Sequence, residues 1–486
     1  MTNNPLSETE SQNDRYTTLV HEVMDITSIT WGEAVDDFWQ HPDDGYIVKF
    51  IGPLRIGQAE AQTYLKQELR GKRITAVIQE ETDGDFQILL VRDTLSNLIG
   101  QYFDIEETRW GTVNEPFAVQ FLGQMKGDSM EAYDTIADAV RPREMTPLFR
   151  ENEGTQAIIL LKGVNRPTPS NPWVNLVMFI LTGLSVLYVG VLLSYEGPLD
   201  VTLWEMFQAS AGKTIGFGTA LLAILSAHEL GHYFAGRFHK TAVTLPYFLP
   251  LPIPPFGTLG AFIQLKESPK NRRVLLDIGA AGPFAGLIVA IPVLFIGLSL
   301  STVDTLPTLI PAGQGFSLEG NSILYLLAKY VVFGEWLPSP ATFGDSSPLV
   351  YWLQFFFTGR PFPFGGRDVL IHPVAFAGWG GILVTALNLI PAGQLDGGHL
   401  LYVLVGSKAK RLLPVLVVIL LGMGLLWSGW FLWAALIFFL GRAHAEPLDQ
   451  ITKLDSRRRA VAIFGLVIFF LVFTPIPLQF IVGPVG

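Results

Sequence analysis

Ala227-His228-Glu229-Leu230-Gly231-His232 is a His-Glu-x-x-His pattern set in apolar sequence, and its reading decides the fold. A helix turns by about 100° per residue, so side chains four apart sit roughly 40° apart on its surface. His228 and His232 therefore share a face and can hold one metal ion, with Glu229 close enough to act on water beside it. Only 8 His occur among 486 residues, so a chance match to this spacing is rare. The setting adds to this. Residues 215–225 carry no charge, which puts the motif within a membrane helix. A plainer alternative is a buried helix with two hydrogen-bonded histidines. An intramembrane cluster of ionisable groups is costly to keep without a use, and that favours a functional site.

With 49% apolar and 16% charged residues, the chain is too apolar to be wholly soluble. The charge is concentrated in the first third, and repeated apolar spans follow Trp173. A formal charge of −10 leaves no basic stripe to neutralise phosphates, which excludes nucleic acid as a partner. There is no cysteine, so disulfides and thiolate metal sites are excluded and any metal must be held by His and carboxylate. Met1-Thr2-Asn3-Asn4-Pro5 lacks the basic and apolar regions of a signal peptide, and residues 1–40 read as a partly disordered acidic segment.

Residues 41–164 contain a repeat offset by about seventy positions. Val48-Lys49-Phe50-Ile51-Gly52 matches Val119-Gln120-Phe121-Leu122-Gly123, the segment 75–80 matches 146–151, and 87–90 matches 157–160. Helical patterns at 59–69 and 130–140 fall between the first two blocks of each copy. Each copy reads strand, helix, strand, strand, with hairpin turns at 82–85 and 152–154. The expectation is a soluble α+β domain built from a duplicated module, serving to bind a regulatory partner. His21 and His41 are isolated and read as ordinary polar residues.

Residues 165–172, with Pro167, Pro169 and Pro172, form a linker to a membrane domain at 173–486. Apolar spans are expected at 173–194, 215–235, 275–300, 370–391 and 460–481. The stretch 412–440 is too long for one perpendicular helix and splits near Ser428-Gly429 into a hairpin. The expected architecture is thus a polytopic α-helical membrane protein of about seven spans. Basic residues test that count. Arg237, Lys240, Arg272, Arg273, Lys410, Arg411 and 457–459 all fall on one face if the N-terminal domain is inside, on the cytoplasmic or stromal side. The expected location is the plasma or the thylakoid membrane. The apolar pieces 323–333 and 349–357, within 301–368, are too short to span and read as interfacial or re-entrant.

A zinc site of this kind needs a third protein ligand and keeps one place open. Asp277, His372, Asp396, His399 and His444 are the candidates, and Asp396 stands out. It ends the fourth span within Asn388-Leu389-Ile390-Pro391-Ala392-Gly393-Gln394-Leu395-Asp396-Gly397-Gly398-His399, at the same face as the end of the second span. Pro391 stops the helix there, and Gly393, Gly397 and Gly398 permit a tight return of the chain. A helix-end carboxylate at the membrane surface is the plainer reading of Asp396.

The paired motifs His228-Glu229-Leu230-Gly231-His232 and Asn388-x-x-Pro391-x-x-x-Leu395-Asp396-Gly397-Gly398 resemble the site-2 protease family of intramembrane zinc metalloproteases, peptidase family M50. The resemblance spans about residues 215–400, including Gly279-Ala280-Ala281-Gly282-Pro283-Phe284-Ala285-Gly286 between the two motifs. The large soluble N-terminal domain is most similar to the plant chloroplast and cyanobacterial branch. The resemblance implies one Zn2+ per chain held by His228, His232 and Asp396, Glu229 as catalytic base, and substrate engagement by Asn388 and Pro391. It also implies membrane-anchored proteins as substrates. Gly393 departs from relatives that carry a second proline there, and every ligand position is kept.

A peptide bond inside a membrane helix is shielded by its own hydrogen bonds, so a substrate must unwind before it is cut. Prolines 246, 250, 252, 254 and 255 forbid a helix, and 256–264 reads as an extended strand whose edge, at Gly257, Thr258 and Gly260, can pair with the substrate. A simple apolar loop over the site is the alternative. Two other functions compete with proteolysis: a non-proteolytic membrane metal-binding protein or transporter, and a membrane-anchored binding scaffold. Neither needs a carboxylate between the two histidines.

Overall fold

Apolar runs in 117–125 and 155–162, and a helical stripe between them, build the second half of the N-terminal unit. The structure is a computed structural model that describes residues 48–482, apart from 53–56, 69–73, 81–85, 93, 112–114, 153, 199, 311–314 and 442–445. The expected turn at 82–85, His21, His41 and His444 lie outside the described residues. The chain divides into two units, Met1–Val164 and Asn165–Gly486.

The first unit opens with β1 (Val48–Gly52), α1 (Gln58–Glu68), β2 (Ile74–Glu80) and β3 (Phe86–Arg92), whose antiparallel sheet runs β1-β3-β2. Helix α2 (Thr94–Tyr102) and strand β4 (Phe103–Trp110) follow. Then come β5 (Phe117–Met125), α3 (Ser129–Val140), β6 (Met145–Asn152) and β7 (Thr155–Lys162), in a sheet ordered β4-β5-β7-β6. Both runs read strand, helix, strand, strand, and in both the last strand lies between the other two. Asp128 caps α3 by accepting from the Met130 N–H, a contact worth about 1 kcal/mol. The helix buries Ala132, Tyr133, Ile136 and Val140 on one face. Tyr133 meets Phe149 edge-on at 5.3 Å, and Val119, Phe121, Ile158 and Leu160 complete that core.

Among the described residues of the second unit, three helices are long and apolar enough to cross a membrane: α4 (Pro172–Ser194), α5 (Leu203–Phe238) and α6 (Arg272–Ser299). Helix α5 begins well before the expected 215. Thr202 and Glu205 form a reciprocal capping box there, and the polar first turns extend the helix beyond its apolar part. Between α5 and α6 lies a hairpin of β8 (Tyr247–Pro250) and β9 (Thr258–Phe262). Helix α9 (Pro373–Asn388) packs on both α5 and α6. It is followed by α10 (Asp396–Val405), α11 (Ala409–Gly424), α12 (Gly429–Leu440) and α13 (Ser456–Val472). Helices α11 and α12 pack on each other across the break at Ser428-Gly429.

Two expected spans end differently. The helix expected over 460–481 stops at Val472, and Pro475 and Pro477 lead into β13 (Leu478–Val482). That strand pairs with β11 (Gly315–Glu319). The helix expected over 370–391 is α9 alone, because Leu370 belongs to β12 (Arg367–Leu370), which pairs with β10 (Thr302–Thr305). The segment between α6 and α9 is therefore a small folded layer, holding these strand pairs with α7 (Ile323–Phe333) and α8 (Pro348–Thr358). Buried Trp379 of α9 ties to it, donating from Nε1 to the Gly320 carbonyl at 2.8 Å.

Candidate metal centre

On α5, His228, Glu229 and His232 are almost fully buried, at 3%, 5% and 7% exposure. Helical spacing turns both imidazoles toward α6, where the backbone must give way for them. A Cβ on Gly282 would lie 2.0 Å from His232 Nε2, so glycine at that position is what leaves space for the ring. Beside it the Nδ1–H of His232 donates to the Ile278 carbonyl at 2.8 Å. That bond fixes the tautomer and leaves the Nε2 lone pair aimed into the cavity.

The carboxylate arrives from far along the chain. Helix α9 ends at Asn388, and the chain turns through 389–395 before α10 starts at Asp396. Gly393 takes φ +55°, and a Cβ on Gly397 would meet the Leu389 carbonyl oxygen at 1.9 Å. The turn needs glycine at both places. It leaves Asp396 Oδ2 3.3 Å from His228 Nε2 and Oδ1 3.3 Å from His232 Nε2. The two Nε2 atoms are 3.2 Å apart, and one ligand atom from each residue lies within 4.8 Å of the others.

These separations suit zinc. Metal–ligand bonds of about 2.0–2.1 Å in a tetrahedron put neighbouring ligand atoms about 3.3 Å apart. Two imidazole nitrogens and a carboxylate, buried and facing one another, are also a donor set that a cation satisfies. Around them lies a cavity of about 670 Å³, lined by Glu229, Asn388, Gln394, His399 and the segment 261–265. Asn388 Nδ2 is 3.1 Å from His228 Nε2. Ile263, just past β9, lines the cavity beside Glu229.

Of the other candidate ligands, Asp277 and His372 lie elsewhere. Asp277 pairs with Arg458 at 2.7 Å and with His239 at 3.0 Å. His372 caps the opposite end of α9, accepting from the Val374 N–H. His399 lines the cavity one helical turn beyond Asp396. Among the substrate positions, Asn388 lines the cavity, while Pro391 does not and lies in the turn after α9. Gly257, Thr258 and Gly260 are not in its lining either; Gly257 packs on α4, and Thr258 Oγ1 bonds to the Leu249 carbonyl at 2.8 Å. The same strand meets the cavity a few residues later, from Ala261 to Leu265. Ile278 had no signal in sequence, since its part is played by a backbone carbonyl. Gln394 stood within the Asn388–His399 stretch but had no spacing to mark it, and His399 was a candidate there only as a metal ligand.

A His-Glu-x-x-His helix closed by a distant aspartate, in a unit with membrane-length apolar helices, defines a membrane metallopeptidase. Residues 216–427 match Peptidase family M50, the site-2 proteases, and the chain is similar to the plant chloroplast branch of that family. It is 24% identical to the probable zinc metalloprotease EGY1, chloroplastic, of Arabidopsis thaliana, over 85% of this chain and 76% of that protein. It is 27% identical to the probable zinc metalloprotease EGY2, chloroplastic, of Oryza sativa subsp. indica, over 82% and 68%. With the EGY1 protein of Oryza sativa subsp. japonica the identity is 28%, over 76% and 65%. No solved structure matches the chain significantly. The chain is a zinc metalloprotease, and zinc is its cofactor.

Proposed function

We propose that this chain is an intramembrane endopeptidase that hydrolyses peptide bonds within or near the transmembrane segments of membrane-anchored proteins. His228, His232 and Asp396 are its zinc ligands and Glu229 is its general base. One observation carries the reading: three ligand atoms within 4.8 Å of one another share a buried cavity with Glu229. When bound, zinc supplies a Lewis acid that polarises water and the scissile carbonyl. Glu229 takes a proton from the attacking water and returns it to the leaving amine. Asn388, with its amide beside His228, donates to the carbonyl oxygen as charge builds there, and Pro391 sets the turn that presents it.

Strand β9 supports the unwinding step. It pairs with β8 on one edge only among the described residues. Gln264 and Lys266 bond toward the β8 side, to Thr244 and Ala242, so by alternation Ala261 and Ile263 direct their backbone groups the other way. Ile263 lines the cavity beside Glu229. An unwound substrate laid along this edge by β-strand addition is delivered to the base.

The wider architecture follows from charge and length. We read about seven spans, with α9, α11, α12 and α13 added to the three long helices, in a multi-pass protein of the plasma or thylakoid membrane. Basic residues such as Arg273, Arg411 and Arg457 support a cytoplasmic or stromal side for the soluble domain at 41–164. Its two like-ordered sheets support a duplicated module that binds a regulatory partner, joined to the membrane domain at 173–486 by the linker at 165–172.

Glu229→Gln tests the whole reading. The substitution keeps the size of the side chain and removes the base. Cleavage of a co-expressed membrane substrate should fall roughly a hundred- to ten-thousand-fold while zinc stays bound. Undiminished cleavage would reject the peptidase mechanism and leave a metal-binding or transport protein.

A further inference from the structure

Helix α4 carries polar side chains that the chemistry above does not use, and they hold the β8–β9 hairpin. Ser185 Oγ donates to the Gly257 carbonyl at 2.6 Å. Asn175 Nδ2 donates to the carbonyls of Leu245 and Pro246, both at 2.9 Å. Between them Phe179 meets Phe248 of β8 edge-on at 4.9 Å. Positions 175, 179 and 185 fall along one face of a helix, and Asn175 and Ser185 are both buried. The opposite face, with Trp173, Val177, Ile180 and Leu184, is exposed and apolar.

The contact is close as well as polar. Gly257 takes φ +76°, and a Cβ there would lie 2.7 Å from the Ser185 carbonyl oxygen and 2.8 Å from the Val186 Cα. Backbone rests on backbone, so the hairpin has little freedom to slide along α4. Serine and asparagine in an apolar helix are disfavoured unless they find hydrogen-bond partners, and here the Ser185 hydroxyl and the Asn175 amide N–H groups donate to carbonyls of the segment around the hairpin, while Asn175 Oδ1 stays without a partner.

We propose that Ser185 and Asn175 are positioning residues for the substrate: through them α4 and the hairpin form one body, which sets the register of the free β9 edge against Glu229. The inference rests on the strand-addition reading above. A substrate strand that slips by one residue moves by about 3.3 Å, enough to present a different peptide bond to the base. Loosening the clamp therefore spreads cleavage over neighbouring bonds.

The experiment uses the full chain in detergent with zinc bound and a membrane-anchored substrate, the products being read by intact mass. Ser185→Ala and Asn175→Leu should broaden the cleavage position to adjacent bonds and raise KM about fivefold for each hydrogen bond lost. Zinc content should not change, and kcat should hold within about twofold, which separates positioning from collapse of the centre. A third variant, Ala261→Pro, removes an outward N–H from the β9 edge without touching the pairing to β8. If Ala261→Pro stops cleavage while both clamp variants cut at the wild-type bond with the wild-type KM, the clamp is refuted and strand addition stands. If Ala261→Pro cleaves like the wild type, strand addition fails and the clamp with it.

Discussion

Among the described residues two groups of ionisable side chains are buried on opposite plans. In the metal centre two imidazoles and a carboxylate point inward with their lone pairs toward a common gap. In the layer between α6 and α9 a cation is already part of the cluster. Lys329 of α7 is wholly buried, with Nζ 3.7 Å from Asp368 Oδ1 and 4.5 Å from the centre of the Tyr325 ring. Tyr325 in turn donates to Glu319 Oε1 at 2.7 Å. The first group is completed by an ion from outside. The second is two carboxylates around one lysine, short of a single proton.

That deficit shows in the titration of the second group. Burial, then the charge of Asp368, pushes Glu319 up to about 7. Burial also raises Asp368, against the pull of Lys329. Tyr351 of α8 is pushed up to about 12, by burial first and then by Asp368. A buried cluster that neutralises itself serves to hold strands and helices together, whereas one with only acceptors facing inward needs a ligand.

The contrast can be broken at four points. The largest effect is expected for Asp396→Ala, which removes one of the three proposed ligands. Zinc per chain, measured by elemental analysis after gel filtration, should fall well below one, and cleavage should be lost with it. Next comes Gly282→Ala, which changes no ligand. The added methyl takes the place of the His232 ring, so activity should drop at least about tenfold and zinc affinity should weaken. A full-activity Gly282→Ala enzyme would mean that α6 can shift away from α5.

Lys329→Met probes the other group. It leaves two buried carboxylates without their cation, a loss of about 3–5 kcal/mol to be seen in thermal unfolding in detergent. Zinc content should stay at the wild-type level, and adding Asp368→Asn should restore most of the stability. The smallest effect is the pH dependence. Between about pH 4.5 and pH 7 folded Glu319 keeps a proton that the unfolded chain has released. Its contribution to stability is therefore complete below the unfolded value and lost as pH rises through about 7. Glu319→Gln should flatten that part of the curve. Zinc retention has the opposite sign, because acid protonates ligands and releases the metal.

The two groups also differ in how they could be read from sequence. His228, Glu229 and His232 lie within one helical turn, so spacing alone puts them together. Asp396 needed the apolar spans to bring it to the same depth, and its proline- and glycine-rich turn to bring it back. Glu319, Lys329 and Asp368 are spread over two strands and a helix with no fixed interval, and no pattern joins them. The same holds for the Ser185 and Asn175 contacts, which join α4 to carbonyls some seventy residues later. Helix lengths were read less well near prolines. The segments at 460–481 and 370–391 look like continuous apolar spans, but in each one end is strand, because pairing with β11 and β10 satisfies the backbone there.

What the sequence by itself determined is what local chemistry decides. The 3.6-residue repeat placed two imidazoles and a carboxylate on one turn, the absence of cysteine limited the ligands to nitrogen and oxygen, and runs of apolar residues marked the membrane helices. The tertiary structure decided which distant carboxylate lies beside the two imidazoles, which glycine yields space to His232, and which strand residues line the cavity with Glu229. Those depend on close approach between segments far apart in the chain. A contact of that kind is set by the packing of whole helices and leaves no period in the sequence.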